Sequence, residues 1–400
     1  EGTWEIEATD LGLNTTQTAT VTVSNSATVT ASPALIAVLP GSQAKVSLVG
    51  GSNVFDYASD SNVVEMDGDW VVGVEPGLAT VTATDHFTGT QTDVSVHVLA
   101  SAEVNYPRTG DNTSSAFIRT ADIDQDGFDD IIFALREADV SGYQSGAVYV
   151  YRGTNTGPSP TPIQVLPGTE RREEFGSALE VADLTGDGRP DLVVGARLAD
   201  INANDTGAIY VHEGLEDGTF ETAPTYTLGG PFGGDQHGWS LAICDFNGDG
   251  RMDVASGAYV SEDKDTSPQS SNQGAVRLWF GYDAGFNTDP DFAIYGQTVD
   301  TLGEWSYKTE MRLGWMLAAG DIDNDGNCDL VASALHWEPT GESGSWGAVF
   351  VYKGVAATDS SLGGLTTLPV SAYAHIDEND KASELGRALA VGDLNGDGFD

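Results

Sequence analysis

The sequence predicts an all-β protein in which a β-sandwich region precedes a β-propeller built from four-stranded blades. Three observations predict it. The first hundred residues alternate Thr, Val, Ala and Ser at period two between Gly, Asn and Asp turns. From about residue 101 onward one Asp-rich loop recurs five times. Each recurrence lies between apolar runs of about six residues, the length of strands and too short for helices.

The chain has 400 residues, room for two or three domains with real cores. Its 17 Lys and Arg stand against 61 Asp and Glu, a formal net charge of −44. Such a chain repels nucleic acid and anionic lipid, and neither is expected as a partner. The acid can serve to chelate hard cations or to solvate a protein in high salt, and the two are compatible. Disorder is excluded, because the Asp residues sit at fixed spacings beside apolar runs. Cys244 and Cys328 occupy different positions of the repeat and are expected as two small buried thiols, not as a disulfide. No apolar run approaches the roughly 20 residues of a membrane span, so no direct membrane insertion is expected. The chain opens at Glu1 within a strand-rich phrase and stops at Asp400 inside a motif, and it is read as a window of a longer protein.

In the N-terminal part, Thr18-Ala19-Thr20-Val21-Thr22-Val23 alternates cleanly, so residues 1–24 are expected to close an upstream sandwich domain. Strands are then expected at Ala27–Ala31, Gln43–Leu48, Val63–Glu65, Val71–Val74, Ala79–Ala83 and Asp93–Val98. They make a second sandwich over 25–100. Leu39-Pro40-Gly41-Ser42, Ala58-Ser59-Asp60-Ser61-Asn62-Val63-Val64 and Pro76-Gly77-Leu78-Ala79-Thr80-Val81 together resemble bacterial Ig-like domains. That resemblance implies a spacer.

Over 101–400 the anchor is Asp-x-(Asp/Asn/Thr)-x-Asp-Gly-x-x-Asp. It starts at Asp122, Asp183, Asp245, Asp321 and Asp393, at intervals of 61, 62, 76 and 72 residues. An apolar run precedes each loop, as in Phe175–Ala182, and another follows, as in Leu192–Ala196. A third strand signal recurs at Gly146–Tyr151, Gly207–Val211, Gly274–Trp279 and Gly347–Tyr352, and a weaker fourth closes the unit, as at Ile163–Leu166 and Phe292–Tyr295. Four short antiparallel strands per unit make a blade whose faces must be buried on its neighbours.

The pair Phe175-Gly176 with Gly195-Ala196 resembles the FG-GAP repeat, the unit of the integrin α-subunit propeller. The pattern persists in His237-Gly238 with Gly257-Ala258 and weakens in Leu313-Gly314 with Ser333-Ala334 and at Ala116-Phe117. The resemblance implies seven blades in all, with blades one to four and the start of a fifth in this window.

The loop chemistry suits calcium. Side chains at positions 1, 3 and 5 converge, Gly at 6 allows a sharp turn, position 7 offers a carbonyl and position 9 closes the shell. Oxygen ligands at this density fit the six to eight that Ca²⁺ accepts. An EF-hand is excluded, because position 12 is Phe133, Val194, Ser256 and Ala332 in place of Glu. The resemblance implies as metal ligands Asp122, Asp124, Asp126, the carbonyl of Phe128 and Asp130 in loop one. It implies Asp183, Thr185, Asp187, Arg189 and Asp191 in loop two, then Asp245, Asn247, Asp249, Arg251 and Asp253 in loop three. Loop four offers Asp321, Asp323, Asp325, Asn327 and Asp329, and loop five Asp393, Asn395, Asp397 and Phe399. Positions 7 contribute only backbone oxygen. Counting carboxylates, loops one and four are expected to bind most tightly, loop three less and loop two, with Thr185, least.

No catalytic residue is expected. The six His are scattered without metal spacing and no Ser stands in an elbow motif. If the strands meander, the loops after each second strand share a face opposite the Asp loops. That face carries the length variation and the aromatics Trp305, Tyr307, Trp337 and Trp346, candidates for protein or carbohydrate binding. The expected function is a calcium-binding adhesion module, secreted or at the cell surface of a bacterium. The alternatives are a lectin, or an accessory propeller of a secreted polysaccharide lyase or phospholipase.

Overall fold

The structure is a computed structural model. It describes residues 2–10, 15–23, 29–31, 35–38, 40–52, 54–98, 116–155, 157–262, 272–299, 305–307, 310–338, 346–354, 371–374 and 384–393. Among these every regular element is a strand. Two compact units form, one of Glu1–Val104 with Thr154–Pro158 and one of Asn105–Gly153 with Ser159–Asp400.

In the first unit Gly2–Asp10 pairs antiparallel with Thr15–Val23, from Gly2 opposite Val23 to Asp10 opposite Thr15. A four-stranded sheet runs Leu35–Val38, Gln91–Val98, Gly77–Asp85, Phe55–Ser59, with the first pair parallel. A three-stranded sheet holds Gln43–Lys45, Trp70–Gly73 and Val64–Asp67. Alternate side chains from both sheets meet in one core that includes Ile36, Val46, Val71, Val81, Val94 and Val96. Two strands escape sequence reasoning, Leu35–Val38 and Phe55–Ser59. The first was legible, since the apolar run Leu35-Ile36-Ala37-Val38 lies between Pro33 and Pro40, which bracket a strand rather than interrupt it.

The second unit is four consecutive antiparallel meanders. Their strands are Ala116–Ala121, Asp130–Leu135, Ala147–Tyr151 and Gln164–Pro167 in repeat one, and Phe175–Ala182, Asp191–Ala196, Ala208–His212 and Tyr226–Gly229 in repeat two. Repeat three has Ser240–Cys244, Asp253–Ala258, Ala275–Trp279 and Phe292–Tyr295, and repeat four Leu313–Gly320, Asp329–Ala334, Ala348–Tyr352 and Ser371–Ala374. First strands of successive repeats pack side by side. The second strands of repeats two, three and four are buried on both faces, which explains their unbroken small apolar runs.

The Phe-Gly and Gly-Ala pairs are where neighbouring repeats touch. Gly146, Gly207, Gly274 and Gly347 form parallel bridges to Phe175, His237, Leu313 and Leu385 of the next repeat. A Cβ on Gly195 would collide with the backbone of Gly238, and one on Gly257 with that of Gly314. Gly238 also has φ of +79°. Only glycine on both sides lets the backbones approach this closely.

His237 fills the Phe position and is fully buried. Its Nε2 accepts the Nε–H of Arg277 at 2.8 Å, and Arg277 also reaches Asp235 at 2.8 Å. Burial pushes the His237 pKa down to about 4, with Asp235 opposing and Arg277 reinforcing the shift. A depressed folded pKa means the unfolded chain binds the proton first as pH falls. Stability contributed by neutral His237 is therefore full above about 6.5 and is lost down to about 4. Comparing wild type with His237→Phe by denaturant titration should show about 3 kcal/mol of extra acid sensitivity in the wild type across that window. Parallel pH profiles would refute it.

The two cysteines overturn the expectation of free thiols. Cys244 and Cys328 form a disulfide, with Cα atoms 6.2 Å apart. Their different positions in the repeat are what brings them together. Cys244 ends the first strand of repeat three, Cys328 directly precedes the second strand of repeat four, and the first strands of these two repeats pack against each other.

Candidate metal centres and a candidate binding face

The four described Asp loops share one hydrogen-bond network. The position-1 carboxylate accepts the N–H groups of positions 5 and 6, at 3.0 and 2.9 Å for Asp122 and at 3.0 and 2.8 Å for Asp321. Asp183 and Asp245 do the same. Position 5 in turn accepts the N–H of position 7, at 2.9 Å in every loop. Positions 4 and 6 both take left-handed backbone, as Gln125 and Gly127, Gly186 and Gly188, Gly248 and Gly250, and Asn324 and Gly326. Position 4 went unremarked in the sequence, although Gln, Gly, Gly and Asn there carry the signal.

Position 9 is more deeply placed than positions 1, 3 and 5. Asp130, Asp191, Asp253 and Asp329 are buried and accept a position-2 N–H on one oxygen. The other oxygen accepts the N–H of a glycine after the third strand, Gly153, Gly214, Gly281 or Gly354. These four glycines are a second missed signal. Each lies so close to the carbonyl of loop position 8 that a Cβ would collide with it. Burial raises the pKa of all four carboxyls, against the pull of these N–H donors, and carries Asp253 to about 7 with Asp245 and Asp249 adding to the rise. A divalent cation would reverse that shift.

Carboxylate oxygens of Asp122, Asp124 and Asp126 lie within 4.8 Å of one another, as do those of Asp321, Asp323 and Asp325. Asp124 Oδ1 is buried and accepts no hydrogen bond. A buried oxygen left open among converging carboxylates fits a hard cation. Loops two and three place Thr185 and Asn247 in the same slot. Of loop five only Asp393 is described; Asn395, Asp397 and Phe399 lie outside the described residues.

FG-GAP family models match this region, the FG-GAP-like repeat at residues 122–194 and 197–256 and the FG-GAP repeat at 237–279. The chain carries FG-GAP repeats. It is homologous over them to human phosphatidylinositol-glycan-specific phospholipase D, 28% identical across 50% of this chain and 27% of that protein. The mouse counterpart is 33% identical across 34% of this chain and 17% of its own length. Mouse integrin alpha-3 is 31% identical across 48% of this chain and 17% of its length. The matches thus span under a third of these relatives. Among solved structures, domains 5–6 of the S-layer protein SbsC align at 16% identity, covering 51% of this chain and 95% of that one, at a TM-score of 0.16. That score is too low to bear on the fold.

Of the four aromatics expected to bind partners, Trp337 and Trp346 have described side chains. Trp346 is 2% exposed and belongs to the packing, which corrects its assignment to a binding face. Trp337 is half-buried against the core of repeats three and four. The side chains of Trp305 and Tyr307 lie outside the described residues. A different cluster occupies the strand ends opposite the Asp loops. Trp239, Tyr259 and Trp315 pack as tilted and edge-on rings with centroids 4.7 to 5.0 Å apart, all half-buried. The guanidinium groups of Arg136 and Arg197 lie 5.4 Å from the Trp239 ring, and Arg197 holds Glu174 through two hydrogen bonds. Residues at the same place in repeats one, two and three thus meet. Sequence reasoning looked for aromatics inside the long loops, whereas these flank the strands themselves.

Proposed function

We propose that the chain is a calcium-stabilised, non-catalytic binding module built as propeller blades and preceded by an Ig-like spacer. The observation that carries this is the repeated acidic loop with an open, buried third-position oxygen at Asp124. The homology of the repeats to integrin alpha-3 supports reading them as an extracellular module. The Cys244–Cys328 disulfide supports an oxidising compartment, hence a secreted or cell-surface site of action. Phospholipase D among the relatives favours a second reading, an accessory module of a secreted hydrolase.

The partner face is the end bearing Trp239, Tyr259 and Trp315, where an aromatic platform edged by arginines suits a glycan or protein ligand. In saturating Ca²⁺ the chain should bind members of a glycan and matrix-protein panel without altering them. Trp315→Ala should weaken that binding at least tenfold while leaving calcium-dependent melting intact. Turnover of a bound glycan or lipid would favour the hydrolase reading, and unchanged binding would move the face elsewhere.

A further inference from the structure

The residue before each anchoring glycine divides the four loops into two kinds. It is Arg152, Glu213, Phe280 and Lys353 in repeats one to four. The two cations accompany the two loops with Asp at position 3, Asp124 and Asp323; no cation stands there beside Thr185 or Asn247. Lys353 Nζ lies 2.5 Å from Asp323 Oδ2 and 2.8 Å from Asp325 Oδ2. Arg152 approaches Asp124 Oδ2 at 3.3 Å while also donating to the Asp217 carbonyl. Its position is fixed, because the next residue, Gly153 or Gly354, is tied to the ninth-position carboxylate.

On the calcium reading above, we propose that Lys353 and Arg152 are tethered counter-ions that set the divalent-cation affinity of loops four and one by competing for their carboxylates. Without an ion, several converging carboxylates repel one another. An ammonium held among them relieves that repulsion and keeps the loop assembled when calcium is scarce. The same charge opposes the incoming cation. In loop four the fourth carboxylate is thereby cancelled, leaving it the same net ligand charge as loop three, and in loop one it is cancelled only in part. Loop two falls below all three, because Arg189 at its position 7 turns back onto Asp187. The expected order is loop one tightest, because Arg152 engages a single carboxylate, three and four together below it and two weakest, which replaces the order from carboxylates alone. Lys353 acts more strongly than Arg152, since it engages two ligand carboxylates whereas Arg152 leaves Asp124 Oδ1 open.

The test is calorimetric titration of the full chain with Ca²⁺, using Asp321→Asn as the blank for loop four. Lys353→Met should tighten loop four roughly tenfold, the scale expected for removing a unit charge about 5 Å from a divalent ion in water. Arg152→Met should tighten loop one by less. Melting supplies an independent readout. Lys353→Met should melt lower than wild type in chelator and higher in saturating calcium. A merely structural lysine would lower melting in both conditions, and that result, or unchanged affinity in Lys353→Met, overturns the counter-ion role. If wild type and Asp321→Asn give the same isotherm, loop four binds no calcium and the calcium reading itself fails there.

Discussion

Chelating divalent cations should lower the melting temperature of the repeat unit by roughly 10 °C or more and leave the N-terminal unit unmoved. An ion that binds only the folded state stabilises by RT ln(1 + [L]/Kd). With extracellular-type affinities of roughly 10⁻⁴ to 10⁻³ M and calcium near 10 mM, each loop contributes about 1.5 to 2.5 kcal/mol. Four complete loops lie in the repeat unit, at Asp122, Asp183, Asp245 and Asp321, and the first unit has none. The sum is a large part of the ordinary stability of a folded domain. Spread over the unfolding entropy of a unit of nearly 300 residues, it amounts to the stated shift. Scanning calorimetry of the full chain, with and without chelator, reads both units in one experiment. A repeat-unit transition that ignores chelator would remove calcium from the account and leave the acid as a device for solubility in salt.

What the sequence disclosed was periodic, and what it concealed was pairwise. The Asp loops, their order and the second and third strands were legible because each position repeats. Asp122, Asp183, Asp245 and Asp321 start four loops with one hydrogen-bond network. The fourth strand was less so: Gln164–Pro167 starts one residue later than its apolar signal, since it is an edge strand with one partner. Contacts between repeats needed coordinates. Cys244 and Cys328 hold different positions in their own repeats, and only the side-by-side packing of first strands makes them neighbours. The same holds for Lys353, an unremarkable strand-end lysine until the glycine after it is seen to anchor Asp329. Trp239 and Trp315 lie one residue beyond the Gly of the Phe-Gly pair, at a place where repeat two has Ser177. A search for aromatic-rich loops does not find a cluster assembled from strand ends of two neighbouring repeats, with Trp239 and Tyr259 from repeat three and Trp315 from repeat four.

Replacing the bridge by Cys244→Ser with Cys328→Ser should cost the repeat unit roughly 2 to 4 kcal/mol and weaken calcium binding at loops three and four alone. The closed loop spans 84 residues, for which restriction of the unfolded chain gives an upper value of about 4.5 kcal/mol. The second effect follows from where the cysteines sit. Cys244 directly precedes Asp245, the first position of loop three, and Cys328 directly precedes Asp329, the ninth of loop four. The bridge therefore ties the start of one acidic loop to the end of the next. Carboxylates that must be gathered before they can bind lose affinity when their backbone gains freedom, because ordering then accompanies binding. A loss of several-fold at loops three and four is expected, with loops one and two, which carry no cysteine, unchanged. Calcium titration of the double variant, with Asp321→Asn and Asp245→Asn versions to resolve the two loops, measures this directly. Equal weakening at all four loops would mean that the bridge supports the whole unit, and unchanged affinity at loops three and four would mean that it staples the repeats without shaping the sites.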